Sequence, residues 1–255
     1  MKRLVLSTPL VVLLGCGGGG SGSSVSFTSN PNPPVQSLNL EGPWTGNLQS
    51  YSGGSVTATA LVLASGEMRY VASNGIQAVG NLSVSGTTFT GSGTMYAPTG
   101  SVFLGGGTTA SFVLSGTGTS GTTMTGTYSS LVDNGTMSFT YNTQALYSTP
   151  VVMSNVAGSY LSVSTSSGYS TTGTLTAAGA FSGSDGHGTF TGTLSAVDAT
   201  KNAFRVTINY LPTGQIAQAY SGLGFFNFGV TPPHLVIQAT GTTGQFAAEF
   251  ARTGP

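Results

Sequence analysis

Past residue 42 the chain changes side-chain class at every second position in segment after segment, and nowhere offers a capped apolar face of helical length and 3.6-residue period. "TTFTGSGTMY", "TMSFTY", "GTFTGTLS", "NAFRVTINYL" and "PHLVIQA" all alternate. Thr, Val, Phe and Tyr fill them, the residue types that suit a pleated, half-buried surface. "TATALVLASGEMRYV", Thr57 to Val71, reads as two such runs around Ala64-Ser65-Gly66-Glu67. Turn signals stand between the others: Ser73-Asn74-Gly75, Asp133-Asn134-Gly135, Asp185-Gly186 and Pro212-Thr213-Gly214. This pattern predicts an all-β, antiparallel fold built from neighbouring hairpins.

The pattern also occurs twice. Gly42-Pro43-Trp44 opens one half and Gly158-Ser159-Tyr160 the other; "LASGEM", Leu63 to Met68, answers "TAAGAF", Thr176 to Phe181; "TTFTG", Thr87 to Gly91, answers "GTFTG", Gly188 to Gly192. "MSFTY", Met137 to Tyr141, and "FAAEF", Phe246 to Phe250, each close a half. The order is kept while the spacing drifts, as expected when hairpin loops change length after a duplication. Two tandem domains follow, residues 40–148 and 156–253, joined near Thr149-Pro150. Each has six to eight short strands, enough for a small meander barrel or a sandwich.

The N-terminus follows a different logic. Met1, Lys2 and Arg3 precede an apolar run, Leu4 to Leu14, too short to cross a bilayer as a helix. The run ends at Gly15-Cys16, and Cys16 is the only cysteine in 255 residues. This stretch resembles the lipobox of bacterial lipoproteins. The resemblance implies signal residues 1–15, cleavage between Gly15 and Cys16, lipidation of the Cys16 thiol, and usually acylation of the freed amine. A lone cysteine in an exported chain is otherwise a liability. Residues 16–39 are rich in Gly and Ser, then carry Pro31, Pro33 and Pro34, and read as a tether reaching roughly 25 Å root-mean-square. Gly17 rather than Asp after the cysteine favours the outer membrane.

The paired hairpins, the "GTFTG" strand, the Asn202 to Tyr210 strand and the lipobox together resemble two-domain β-rich lipoproteins of proteobacteria. The resemblance spans residues 1 to about 252, and its motifs are structural. Several members carry a cysteine before the first of these strands and another after the second; here Gly188 stands at the first point and no cysteine follows Leu211. Packing must supply what such a clip would supply.

Charge narrows the function. Only 5% of residues are charged. Once the signal is removed, the cations left are Arg69, Lys201, Arg205 and Arg252, scattered rather than clustered, so the chain offers no nucleic-acid surface. Ser184, Asp185 and His187 fall within one turn, too close in sequence to form a nucleophile–base–orienter chain, and no G-x-S-x-G elbow occurs. His234 enters a strand after Pro232-Pro233. Glu67 and Arg69 alternate on one strand face as a solvated pair. The expected roles carry no catalysis, metal or cofactor and leave two main classes, with a hydrolase as a lesser third. The first is an envelope-tethered binding or structural module contacting a protein or glycan. Its candidate contacts are Trp44 and the aromatics Tyr220, Phe225, Phe226 and Phe228 of "AYSGLGFFNFG", for each of which a core position is the competing reading. The second is a barrel enclosing a small apolar ligand.

Overall fold

The structure is a computed structural model describing residues 37–165, 170–242 and 244–255. Gly15 and Cys16 lie outside the described residues. Two closed eight-stranded barrels stand in tandem, each an antiparallel meander. The first contains β1 (Gly42–Ser50), β2 (Ser55–Val62), β3 (Glu67–Ala72), β4 (Gln77–Ser85), β5 (Thr88–Tyr96), β6 (Thr109–Thr119), β7 (Thr123–Ser130) and β8 (Asn134–Tyr141), and closes by pairing β1 with β8, Trp44 opposite Tyr141. The second contains β9 (Gly158–Thr165), β10 (Thr172–Leu175), β11 (Ala180–Ser184), β12 (Gly188–Ala196), β13 (Phe204–Pro212), β14 (Gln218–Asn227), β15 (His234–Gly241) and β16 (Gly244–Gly254), and closes β9 on β16. Full closure leaves no unpaired sheet edge, which disposes of the sandwich alternative.

Closing so small a barrel brings some strands too near for side chains. Gly116 in β6 lies opposite Gly126 in β7, and a Cβ on Gly116 would come within 2.1 Å of the Thr125 carbonyl and 2.7 Å of the Phe89 ring. Glycine inside these strands therefore marks tight bends of the wall rather than weak strand character.

The repeat is visible residue by residue. Trp44 donates from Nε1 to the Leu40 carbonyl at 2.8 Å, and Tyr160 donates its hydroxyl to the Val156 carbonyl, each reaching four residues back. Gly66 and Gly179 both take positive φ, close the second-to-third-strand turns, and accept from Leu82 and Leu194 respectively. These contacts correct one pairing made on the sequence. "GTFTG" lies on β12, the fourth strand of its barrel, whereas "TTFTG" leads into β5, the fifth of the other. The true counterpart of Leu194 is Leu82 on β4. Similar Thr-Phe-Thr composition on neighbouring strands produced the slip.

Both interiors are filled, by different means. Phe181, Phe190 and Phe250 pack ring to ring in the second barrel, with centroids 5.1 and 5.3 Å apart, and Phe204 meets Phe226 edge-on at 5.6 Å. In the first, Met68, Met95, Met124 and Met137 surround an apolar space of about 30 Å³ together with Phe112 and Phe139. Methionine fills irregular gaps of this kind. A site for a carried ligand needs roughly 300–1,000 Å³, and the space enclosed by these methionines falls well short of that.

The two ends of the molecule differ. The described chain begins at one of them, where Leu38 bonds through its N–H to Gly86 and Asn39 to the Ser120 hydroxyl, and where Leu38 and Leu40 plug the first barrel. Leu38 and Asn39 thus belong to the barrel rather than to a tether. We call this end proximal. The connections 51–54, 73–76, 97–108 and 131–133 lie at the distal end, because successive loops of a meander alternate ends. The barrels stand side by side in the same sense. At the distal side Gln245 donates from Nε2 to the Gly75 carbonyl at 2.6 Å; towards the proximal side Arg205 meets Glu67 at 2.5 Å.

Between the barrels lies a third core of Leu61, Leu63, Tyr147, Leu223, Phe225 and Val236 with two alanines. Glu67 and Arg69, expected as a solvated pair, sit at its edge: Arg69 is 8% exposed and donates to the Thr240 hydroxyl at 3.0 Å, and burial lowers its pKa. Tyr147 donates to Glu41, which also faces Lys201 at 3.8 Å. Three of the four cations past the signal therefore pin barrel to barrel. The fourth, Arg252, donates to the Asn155 and Ala157 carbonyls at the proximal end of the second barrel. The Arg205 side chain is half exposed, and exposed ion pairs contribute little. Arg205→Ala is expected to lower stability by less than about 1 kcal/mol, read as a urea midpoint within error of the parent. A larger loss would show that Glu67 depends on that partner.

Candidate functional site

The distal mouth of the second barrel holds the convergence of polar and aromatic groups most like a binding site. A pocket of about 570 Å³ opens there. The β11–β12 turn supplies one wall: Asp185 accepts the backbone N–H of His187 at 3.0 Å and of Gly188 at 2.9 Å, an Asx-type turn that fixes the carboxylate. Tyr210, near the end of β13, donates its hydroxyl to the same carboxylate at 2.9 Å. The Ser184–Asp185–His187 cluster is therefore a hairpin turn whose carboxylate serves backbone N–H groups and a tyrosine.

The opposite wall comes from β14 and β16. Tyr220 donates to Gln218, and its ring tilts against Phe246 with centroids 6.3 Å apart. Gln245 is 4% exposed and lines the pocket. Its Nε2 faces the Gly75 carbonyl, which can only accept, so its Oε1 must point away; that oxygen has no hydrogen-bond partner. Thr99, from the 97–108 connection of the first barrel, completes the rim. No Lys or Arg is among the lining residues.

The aromatics singled out in the sequence separate here. Trp44 is fully buried in the first barrel, and Phe226 fully buried in the second. Phe225 points the other way on the same strand, into the core between the barrels. Phe228 is half-buried at the proximal end against Phe226, at 6.2 Å. None of these four forms the exposed patch considered above: strand alternation sends Phe226 inward, and the first barrel covers the face that Phe225 presents. Tyr220 alone lines the pocket, with 8% of its surface exposed. Tyr210, Gln218 and Gln245 carried no sequence signal, since their convergence depends on closing the barrel.

Two other places gather polar groups. A groove of about 910 Å³ runs beside the junction of the barrels, lined mainly by small side chains such as Thr45, Thr57, Ser138 and Asn74; its one phenylalanine, Phe225, shows 2% of its surface. At its edge His234 Nδ1 lies 2.6 Å from Glu249 Oε1 on the neighbouring strand. Among the described residues no hydrogen bond brings a hydroxyl to that ring. At the distal mouth of the first barrel, Ser50 and Tyr128 both donate to Asp133, and burial, then this hydrogen bond, raise the Tyr128 pKa. The network is closed on itself. No protein-family model, curated protein or solved structure matches the chain.

Proposed function

We propose that this chain is an envelope lipoprotein of the outer membrane, held by lipid on Cys16, whose paired barrels act as a binding module rather than a catalyst, with the distal pocket of the second barrel as its recognition site. The observation that carries this is polarity. The described residues start at the proximal end of the first barrel and the pocket opens at the distal end of the second, which suits a module attached through its N-terminal side. The distal end also exposes Tyr51, Leu104 and Leu131, at 69%, 91% and 96%, which suits a surface that meets a partner. Charge supports the same reading. All four cations past the signal are committed to holding the barrels together or closing an end, so none is grouped for nucleic acid.

Among the described residues no helix is long and apolar enough to cross a membrane. Each buried methylene of an acyl chain contributes about 0.8 kcal/mol to membrane attachment, and two or three chains make it durable. Cys16→Ala is accordingly expected to move the protein from the membrane pellet to the soluble fraction and to abolish incorporation of labelled palmitate. A variant that still pellets and resists salt extraction would sink the anchor reading.

A further inference from the structure

We infer that the distal loops of the first barrel form a membrane-contact surface that seats in zwitterionic phospholipid; the inference goes beyond the pocket and needs neither it nor Cys16. The five most exposed large apolar side chains of the described residues are Leu131, Leu104, Ile216, Tyr51 and Val102. All but Ile216 stand on these loops, in three connections that follow one another around the mouth: 97–108 joins β5 to β6, 131–133 joins β7 to β8, and β8 closes on β1, which leads into 51–54. The Tyr51 N–H donates to the Asn134 carbonyl at 2.9 Å and ties two of the loops together. Both leucines are held out by ordered turns. The Phe103 carbonyl accepts from the Gly106 N–H at 2.9 Å, with Gly105 at a φ of 106°, so Leu104 takes the outer corner. In the other turn the Ser130 N–H donates to the Asp133 carbonyl at 2.9 Å, and the Ser130 hydroxyl accepts from the Val132 and Asp133 N–H groups, which leaves Leu131 at the corner. A neighbour of each points inward: Phe103 and Val132 pack against the core of the barrel. A turn corner accepts most residue types, so neither turn itself calls for leucine.

Charge and hydrogen bonding name the occupant. The four distal connections carry no Lys or Arg, and their one charged residue is Asp133. Anionic lipid is met by clustered cations, which these loops lack. A phosphocholine headgroup presents phosphate and ester oxygens, which accept, and has no N–H or O–H to give. A surface that seats in it needs its own side-chain acceptors served beforehand. Both side-chain carbonyl acceptors of these loops are. The Asp133 carboxylate accepts from the Ser50 hydroxyl at 2.6 Å, the Asn134 N–H at 2.8 Å and the Tyr128 hydroxyl at 2.8 Å, and Asn74 accepts from the Ile76 N–H at 3.2 Å. What remains to offer is apolar: Leu104, Leu131 and Val102 for the acyl boundary, and Tyr51 for the headgroup level where such rings concentrate. The apolar groups stand on separate turns divided by Gly53, Gly54, Gly105 and Gly106, an arrangement that a fluid surface accommodates without shape matching.

The test uses the full-length chain carrying Cys16→Ala, so that no lipid on that residue contributes, sedimented with sucrose-loaded phosphatidylcholine vesicles. Contact through a few side chains is weaker than the marginal, reversible hold of a single acyl chain, so pelleting is expected at lipid concentrations on the order of millimolar and is lost on washing. It is expected to be the same at low and high salt, and to gain nothing from added phosphatidylglycerol, because no ion pair contributes. Leu104→Ser and Leu131→Ser are each expected to lower the partition coefficient by about tenfold, and the two together to abolish pelleting, with melting temperatures equal to the parent's because both side chains are in solvent. Val113→Ser, exposed on the β6 wall of the same barrel, is expected to leave pelleting unchanged. Leu104→Trp supplies a local readout: its emission is expected to be quenched by phosphatidylcholine brominated along the acyl chain. Absence of pelleting, pelleting that requires phosphatidylglycerol, or equal pelleting of the parent and the double variant overturns the inference. So does a parent that sediments without lipid as a dimer which the double variant dissociates, since a second copy would then cover the loops. Washed cell membranes test the anchor and excess vesicles test the loops, so either reading can fail alone.

Discussion

Trp44→Ala is expected to remove about 3–5 kcal/mol of stability, the range for emptying a large aromatic site. The ring is fully buried at the start of β1 and meets Tyr141 edge-on at 5.2 Å, across the seam where β1 closes on β8. Its indole N–H donates to the Leu40 carbonyl, which fixes the segment that plugs the proximal end. Alanine would therefore open a cavity at the closing seam and orphan a buried carbonyl at once. That loss is a large share of what a small domain has. The urea midpoint of the full chain is the measurement, followed by the loss of structure in circular dichroism. Emission from the parent supplies the companion test, since Trp44 is the only tryptophan: a native maximum at short wavelength, shifting red on unfolding, is expected. A solvent-like native maximum together with an unchanged midpoint would place the ring outside the core.

Asn202→Ala is expected to cost a similar amount by a different route. Asn202 is fully buried. Its Nδ2 donates to the Phe226 carbonyl at 2.6 Å and to the Ala145 carbonyl at 2.7 Å, and its Oδ1 accepts from the Phe226 N–H at 2.9 Å. One side chain thus satisfies three backbone groups, two on β14 and one in the turn that leads out of the first barrel. Alanine leaves all three buried and unpaired, at about 1–3 kcal/mol for each group that water cannot reach. The expected drop is about 3–5 kcal/mol, and near-neutrality would mean that water enters and replaces the amide. Asn202→Asp is expected to rescue little, because a second oxygen would face two carbonyls. Hydrogen exchange at the Phe226 amide offers a local readout: protected in the parent, and exposed in the variant well before global unfolding.

Much of this fold could be read from the chain. The alternating runs of Thr87 to Tyr96 and Asn202 to Leu211 became β5 and β13, and the turn glycines Gly66, Gly75 and Gly214 take the positive φ that their turns require. Trp44 and Tyr160 are equivalent in position and in the hydrogen bond each makes. The site was less legible. Tyr220 was picked out with four other aromatics, yet its own sequence context does not separate it from Phe225 or Phe226. Gln245 looked like any polar residue near a turn.

The sequence by itself determined the class of structure, because the direction of a side chain along a strand has period two and a turn needs its particular residues, both local properties. It determined the doubling for the same reason. The tertiary structure alone decided barrel over sandwich, since closure depends on whether the first strand finds the eighth, a contact between Trp44 and Tyr141 made across almost a hundred residues. It also decided which faces are buried. A strand that hides one face in a barrel and the other against a second barrel, as β14 does with Phe226 and Phe225, reads as an exposed apolar patch until its neighbour is in place. The orphaned oxygen of Gln245 arises in the same way: its amide nitrogen is taken by Gly75 of the other barrel, 170 residues away, and no local pattern encodes which half of an amide is left over.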